Sequence, residues 1–231
     1  MPLITVTGVS IGTGAHELGA EVARKMGLDY VDRVILAEAA RQIGSTPSAV
    51  AEQVERPLGL GDRLADFVRN VFERSALAGS GADPYFGGGM DMLLVREYRD
   101  IPEAASGDDN DQQILQVTTA VIHEIAQRDN AVIIGRGAHL ILRDWPGALH
   151  VGTVASRDAQ VRRIMEREHL SMEEAEAYCR DNDRGRDGFY HRFFGLSPVD
   201  ASNFDMTVNT ERLDIAAAAD LVAAASAFVK S

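Results

Sequence analysis

Apolar residues recur along this chain in two alternating periods. Leu3–Thr7 mixes branched and apolar residues and stops at Gly8, which predicts a buried strand. His16–Met26 repeats Leu18, Val22 and Met26 four residues apart, the spacing of one helix face, and ends at Gly27. A short strand over Asp29–Asp32 and a helix over Val34–Ile43, stopped by Gly44, complete the opening segment. Further on, Ala131–Ile134 is a continuous apolar strand and His150–Val154 another. Arg157–Glu168 turns Val161, Ile164 and Met165 inward, and the capping box Ser171-Met172-Glu173-Glu174 opens the next helix. Phe204–Val208 reads as the last strand and Ile215–Val229 as an alanine-rich closing helix.

Residues 45–128 carry a different pattern, mostly helical. Thr46-Pro47 places proline at a first helical position, and Arg63–Leu77 aligns Leu64, Phe67, Val68, Val71 and Phe72 on one stripe. Gly79–Met90 holds five glycines and reads as a loop, as does the polar stretch Ile101–Asp111. Gln112–Arg128 is a helix with Ile114, Val117, Val121, Ile122 and Ile125 inward. Strands alternating with helices imply βαβ units, hence an α/β fold with a parallel sheet covered on both faces.

Composition narrows the classes of function. With 231 residues, 45% apolar and 25% charged, the chain has material for a full core and is not disordered. A net charge of −12 argues against nucleic acid or an anionic membrane as partner. No apolar run reaches membrane-spanning length, and the strand-like start carries no basic leader. Cys179 is the one cysteine, so no internal disulfide forms and a cytoplasmic setting is expected. Of 23 basic residues only Lys25 and Lys230 are lysines. Any site that ordinarily uses an ammonium group must find a guanidinium here.

Three landmarks carry candidate chemistry. Gly8-Val9-Ser10-Ile11-Gly12-Thr13-Gly14-Ala15 joins the first strand to the first helix, a setting in which backbone amides and the helix dipole hold an anion. It completes neither the dinucleotide pattern, since Glu17 stands at the third glycine, nor the mononucleotide pattern, since Ala15 and His16 replace lysine and hydroxyl. A turn that needs glycine for geometry alone stays open as the alternative. The second landmark is Arg136 in Gly135-Arg136-Gly137, at the carboxyl end of a strand, where open α/β sheets bind ligands. The third runs from Arg157 to Arg192 with eight arginines against nine acids, as salt-bridged helix faces would have. Its layout, with Arg180 and Arg184 on one helix face, also suits a lid that closes over phosphates.

In this order the three landmarks resemble the nucleoside monophosphate kinases, and more narrowly the cytidylate kinase-like family. The resemblance rests on Ile4-Thr5-Val6, on Gly12 through Gly19, on Tyr30-Val31-Asp32-Arg33 and on Ala131 through Ala138. It continues in Arg162 through Glu168, Asn203-Phe204-Asp205 and Val208-Asn209-Thr210. It implies a P-loop kinase-like parallel sheet with flanking helices, a helical acceptor-binding insertion and an arginine-rich lid. The single domain then divides into residues 1–44 (phosphate loop), 45–128 (insertion), 129–156 (core strands), 157–200 (lid) and 201–231 (last strand and helix).

The resemblance also implies ATP as donor, Mg2+, and a small nucleoside monophosphate, CMP by default, as acceptor. By position Gly12, Thr13, Gly14, Ala15 and His16 would meet the donor phosphates, with Arg157 and Arg162 beside them. Asp32, Arg33 and Arg136 would bind the acceptor, and Arg136, Arg180 and Arg184 would neutralise the moving phosphoryl group. Thr13 and Asp32 are the nearest oxygen donors for magnesium. Cytidylate kinases carry lysine and a hydroxyl where this chain has Ala15 and His16, and an acid where it has Gly137. A nucleotide-binding sensor without turnover is therefore the rival expectation, and a dinucleotide oxidoreductase a weaker one. The Arg63–Leu77 stripe would serve a homodimer face as readily as a core.

Overall fold

The computed structural model describes residues 2–32, 108–128 and 130–229. The helices expected over Val34–Ile43 and Arg63–Leu77, the Thr46-Pro47 cap, the Gly79–Met90 loop and Arg33 lie outside them. Strand β1 (Leu3–Gly8) leads into α1 (Ala15–Met26) and β2 (Asp29–Val31). Helix α2 (Asp108–Ala126) precedes β3 (Ala131–Ile134), the short α3 (Ala138–Ile141) and β4 (Ala148–Val154). An antiparallel-type hairpin of α4 (Arg157–Glu168) and α5 (Met172–Phe194) follows, then β5 (Met206–Asn209) and α6 (Ile215–Ser226). The strands form one parallel sheet in the order β2-β3-β1-β4-β5.

Central β1 alternates its side chains between two covered faces. On one face Ile4 and Val6 meet Val132 and Ile134 of β3 and Leu149 and Val151 of β4, under Leu18 and Val22 of α1 and Ala218, Ala219 and Val222 of α6. Small residues let the helices approach closely: a Cβ on Gly19 would lie 2.2 Å from Ile134 Cδ1. Lys25 ties α1 to α6, donating to the Ala216 carbonyl at 2.9 Å and pairing with Asp220. It stands in the last turn of α1, at the opposite end from the glycine loop.

The other face of β1 is polar yet buried. Thr5 and His150 join at 2.9 Å, and His150 Nε2 reaches the Leu142 carbonyl at 3.1 Å. Because a carbonyl only accepts, the proton is on Nε2, and Nδ1 accepts from the Thr5 hydroxyl. Thr7 pairs with His139 Nδ1 at 3.1 Å, and the His139 ring stacks on Phe204 at 4.7 Å.

The bounds of the elements read from the sequence differ by more than one residue in four places. Helix α2 begins at Asp108, within the stretch read as loop. Strand β4 starts two residues earlier than expected, at Ala148, paired with Leu3. Strand β5 starts at Met206, because Ala201–Asn203 forms a 3-10 turn and Asp205 is drawn back to His150. Helix α6 ends at Ser226. The capping box forms as written, Ser171 and Glu174 each bonding the other's backbone amide. Among the described residues no helix is long and apolar enough to cross a membrane.

Burial, helped by the nearby Arg186 guanidinium, holds the His139 imidazole down at about 3. The unfolded chain takes up that proton near the ordinary value of 6.5. Stability is therefore full above about pH 6.5 and falls as acid is added toward pH 3. His139→Asn should lower the melting temperature at pH 7 but flatten its decline between pH 7 and pH 4, measured by calorimetry.

Candidate functional site

All five strands are parallel, so their carboxyl ends share one edge. To that edge β1 brings the glycine loop, β2 Asp32, β3 Arg136, β4 Arg157 and β5 Thr210. The topology thus gathers the expected site residues from distant parts of the chain.

The loop's conformation follows from where its carbonyls go. Thr13 Oγ1 donates to the Ser10 carbonyl at 2.9 Å, Arg163 Nη1 donates to Gly12 O at 3.0 Å, and Thr210 Oγ1 donates to Thr13 O at 2.8 Å. Gly14 O accepts the Leu18 amide at 2.9 Å. In a trans peptide the N–H points opposite to the C=O. Holding the carbonyls of Gly12, Thr13 and Gly14 therefore turns the amides of Thr13, Gly14 and Ala15 the other way. Among the described residues these three amides donate to nothing. Helix α1 starts there on Gly14, at φ 75°, with no side-chain cap, so its positive end is open to an anion.

Other residues expected in the loop are differently employed. Thr13 is 2% exposed, and its hydroxyl also contacts Thr153 Oγ1 at 2.9 Å. That oxygen is enclosed within the loop and does not fit as a magnesium ligand. His16 is exposed on the first turn of α1, its Nδ1 3.0 Å from the Tyr30 hydroxyl. Asp32 is half-buried past the end of β2. No group of three or more metal-ligating side chains occurs among the described residues.

The α4–α5 hairpin is seated directly on the loop. Ile11 packs into the core between the helices, against Val161, Ile164, Tyr178 and Cys179. Burial pushes the Cys179 thiol up, which keeps it inert. The Ile11 amide donates to Asp183 Oδ1 at 3.0 Å, and Asp183 Oδ2 takes Arg157 Nη1 at 2.7 Å. A carboxylate of α5 thus occupies the Ile11 amide of the loop and pairs with an arginine of α4. Arg157, Arg162 and Arg180 line a cleft of about 580 Å³ between the helices, with Met165, Met172 and Glu176. Arg162 pairs with Glu211 at 3.7 Å and Arg180 with Glu176 at 4.0 Å. Arg184, one position past Asp183, is exposed and makes no such contact among the described residues.

At the end of β3 the chain takes three left-handed residues in succession: Gly135 (φ 68°), Arg136 (φ 53°) and Gly137 (φ 73°). An arginine there costs on the order of 1 kcal/mol. Its side chain is nevertheless 4% exposed, drawn into the protein rather than left in solvent. Arg186 of α5, 8% exposed, is the second buried guanidinium on this side, close enough to His139 to depress its basicity. Phe194, at the end of α5, covers the turn so tightly that a Cβ on Gly137 would lie 2.3 Å from its Cζ.

Sequence reasoning missed Arg163, Thr210 and Asp183, and did not separate Arg186 from its neighbours. Arg162 and Arg163 are adjacent and look alike in sequence; helix phase sends one to a surface carboxylate and the other to the loop. A signal existed in the pairing of Arg163 with Thr210, both within stretches that carry the family resemblance.

A profile of the cytidylate kinase-like family matches residues 3–212. The chain belongs to the cytidylate kinase-like family. In three dimensions it is similar to a crystal structure from Eubacterium ventriosum, with a TM-score of 0.64, 16% identity and 99% of each chain covered. Shikimate kinase from Bacteroides thetaiotaomicron superposes with a TM-score of 0.50 at 15% identity, covering 97% of each chain. The fold is accordingly that of the P-loop kinases. A uronate isomerase from Corynebacterium glutamicum is 26% identical over 189 residues, 80% of this chain. The chain spans about a third of that protein, 35% of its length.

Two substitutions probe this family member's site. Gly137→Ala should destabilise the fold by about 1–3 kcal/mol in thermal unfolding, since Phe194 and a left-handed backbone both oppose a methyl group. Asp183→Asn removes a negative charge beside the open amides, and pyrophosphate should bind about two- to fivefold tighter in calorimetry.

Proposed function

We propose that this protein transfers the γ-phosphoryl group of ATP to a nucleoside monophosphate of the CMP type or a related small molecule. The observation that carries this reading is the set of three amides, Thr13, Gly14 and Ala15, that donate to nothing among the described residues, at the positive end of α1. They stand on the same sheet edge as the buried Arg136. A polyphosphate on those amides would hold its terminal group toward the crevice between β1 and β3, where Arg136 and Asp32, with Arg33, would receive the acceptor.

In the transfer an acceptor phosphate oxygen forms a bond to the γ-phosphorus as the bond to the β–γ bridging oxygen breaks, and ADP leaves. The acceptor oxygen is already anionic, so no general base is needed. The work left to the protein is alignment and charge balance. Loop amides, Arg136, Arg180 and Arg184 supply the balance, with Arg157 freed from Asp183 and Arg162 near the donor. His16 borders the donor phosphates from the first turn of α1. Magnesium, as the kinase fold implies, would enter on the nucleotide phosphates, with Asp32 the carboxylate placed to meet its shell. Thr13 is removed from that role by its enclosure.

A second reading is supported by Ala15 and His16, which leave the loop without the ammonium and hydroxyl groups of active P-loop kinases. On that reading the protein binds a nucleotide without turning it over.

An ADP-release assay over CMP, dCMP, UMP, AMP and a uronate separates the two. Turnover with one nucleoside monophosphate is the expected result; stabilisation by ATP with no ADP released would select the sensor. Arg136→Ala and Arg184→Ala should each lower kcat/KM about tenfold to a hundredfold, the effect of losing one charge-assisted contact of roughly 1.5–3 kcal/mol. Unchanged turnover in both variants would sink the assignment of arginines to charge balance.

A further inference from the structure

We propose that Arg163 and Thr210 form a positioning clamp that presets the phosphate loop, holding its amides in register before any anion arrives. The proposal rests on reading the loop as a polyphosphate site. Arg163 comes from the outward side of the loop and touches carbonyls rather than the amides that would meet an anion. Its Nη1 donates to Gly12 O at 3.0 Å and to Thr210 Oγ1 at 2.9 Å, and its Nη2 donates to Thr210 O at 2.7 Å. Thr210 passes the constraint on. Having accepted from Arg163, its hydroxyl spends its one proton on Thr13 O at 2.8 Å, the shorter of two acceptors, Val154 O lying at 3.4 Å. The Thr210 amide is itself fixed to Val154 O at 3.0 Å, so the hydroxyl is anchored to the end of β4.

The clamp crowds one glycine of the loop, and the helix that carries Arg163 crowds another. A Cβ on Gly14 would lie 3.2 Å from Thr210 Oγ1 and 3.3 Å from Arg163 Nη1; one on Gly12 would lie 2.9 Å from the Gln160 carbonyl, one helical turn before Arg163. Both glycines are left-handed, at φ 73° and 75°. The loop is glycine-rich here to admit its clamp from behind, whatever approaches from the front. Only a forked donor spans these acceptors, because a lysine has one nitrogen and no planar spread. Arg163 is thus a positioning residue, and its fixed charge adds to the positive field behind the amides.

Titration calorimetry with pyrophosphate and magnesium, on the full chain, tests the clamp without reference to any acceptor. Thr210→Val, close to the native shape, should weaken pyrophosphate about tenfold, while Thr210→Ser should restore affinity to within about threefold. Arg163→Lys should weaken it at least as much. The double variant should be no more than about threefold weaker than the weaker single, because both changes break one relay. Millimolar guanidinium, but not ammonium, should restore binding to Arg163→Ala. If that variant fails to fold, Thr210→Val decides. Thr210→Val folding with a lowered melting temperature but pyrophosphate affinity within twofold would overturn the clamp and leave the phosphate reading standing. No pyrophosphate or ATP heat with the unaltered chain would overturn the phosphate reading, and the clamp with it.

Discussion

The structure turns on how peptide planes are held between β1 and α1. A short loop can point its carbonyls or its amides at the sheet edge, and a trans peptide cannot do both on one side. Here Arg163, Thr210, Thr13 and the first turn of α1 take the carbonyls one after another. The amides are then aimed without any ligand. Each hydrogen bond is individually modest, about 0.5–1.5 kcal/mol net, rising toward 3 kcal/mol where a charge is involved. Acting on consecutive planes, they leave the loop little freedom to invert.

That constraint explains why the α4–α5 hairpin is fastened where it is. The hairpin shares a core with the loop through Ile11, buttresses it through Gln160 and Arg163, and bonds its Ile11 amide through Asp183. Helix α5 then runs on, past Arg184 and Arg186, until Phe194 closes over Gly137. One helix of 23 residues therefore contacts the turn after β1 and the turn after β3.

The scarcity of lysine gives the site its chemical character. Guanidinium groups of the site appear in three settings: Arg163 behind the loop, Arg136 and Arg186 buried beside the β3 turn, and Arg157, Arg162 and Arg180 around the cleft between α4 and α5. The first is committed to backbone carbonyls and the last group to carboxylates. A planar, permanently charged donor can serve in each, its five N–H groups spread over a wider fork than the three of an ammonium group.

The parallel sheet, the glycine loop at the end of β1, the capping box at Ser171 and the turn around Arg136 were legible in the residues, because each depends on contacts within a few positions or on a period in the chain. Hydrophobic alternation set Leu3 and Ile4 on opposite faces, and left-handed turns called for glycine. What the sequence could not decide was partnership across distance. Arg162 and Arg163 differ only by one helical step of 100°, and only the packed hairpin sends the second to Gly12 and Thr210 while the first meets Glu211. Thr13, which looked available to a metal, is enclosed once Thr153 arrives from β4. Local chemistry fixed the kinds of turn and element; the tertiary fold chose which side chains would hold the turns, because that choice is made by residues up to about two hundred positions apart, as Thr13 and Thr210 are at a separation of 197.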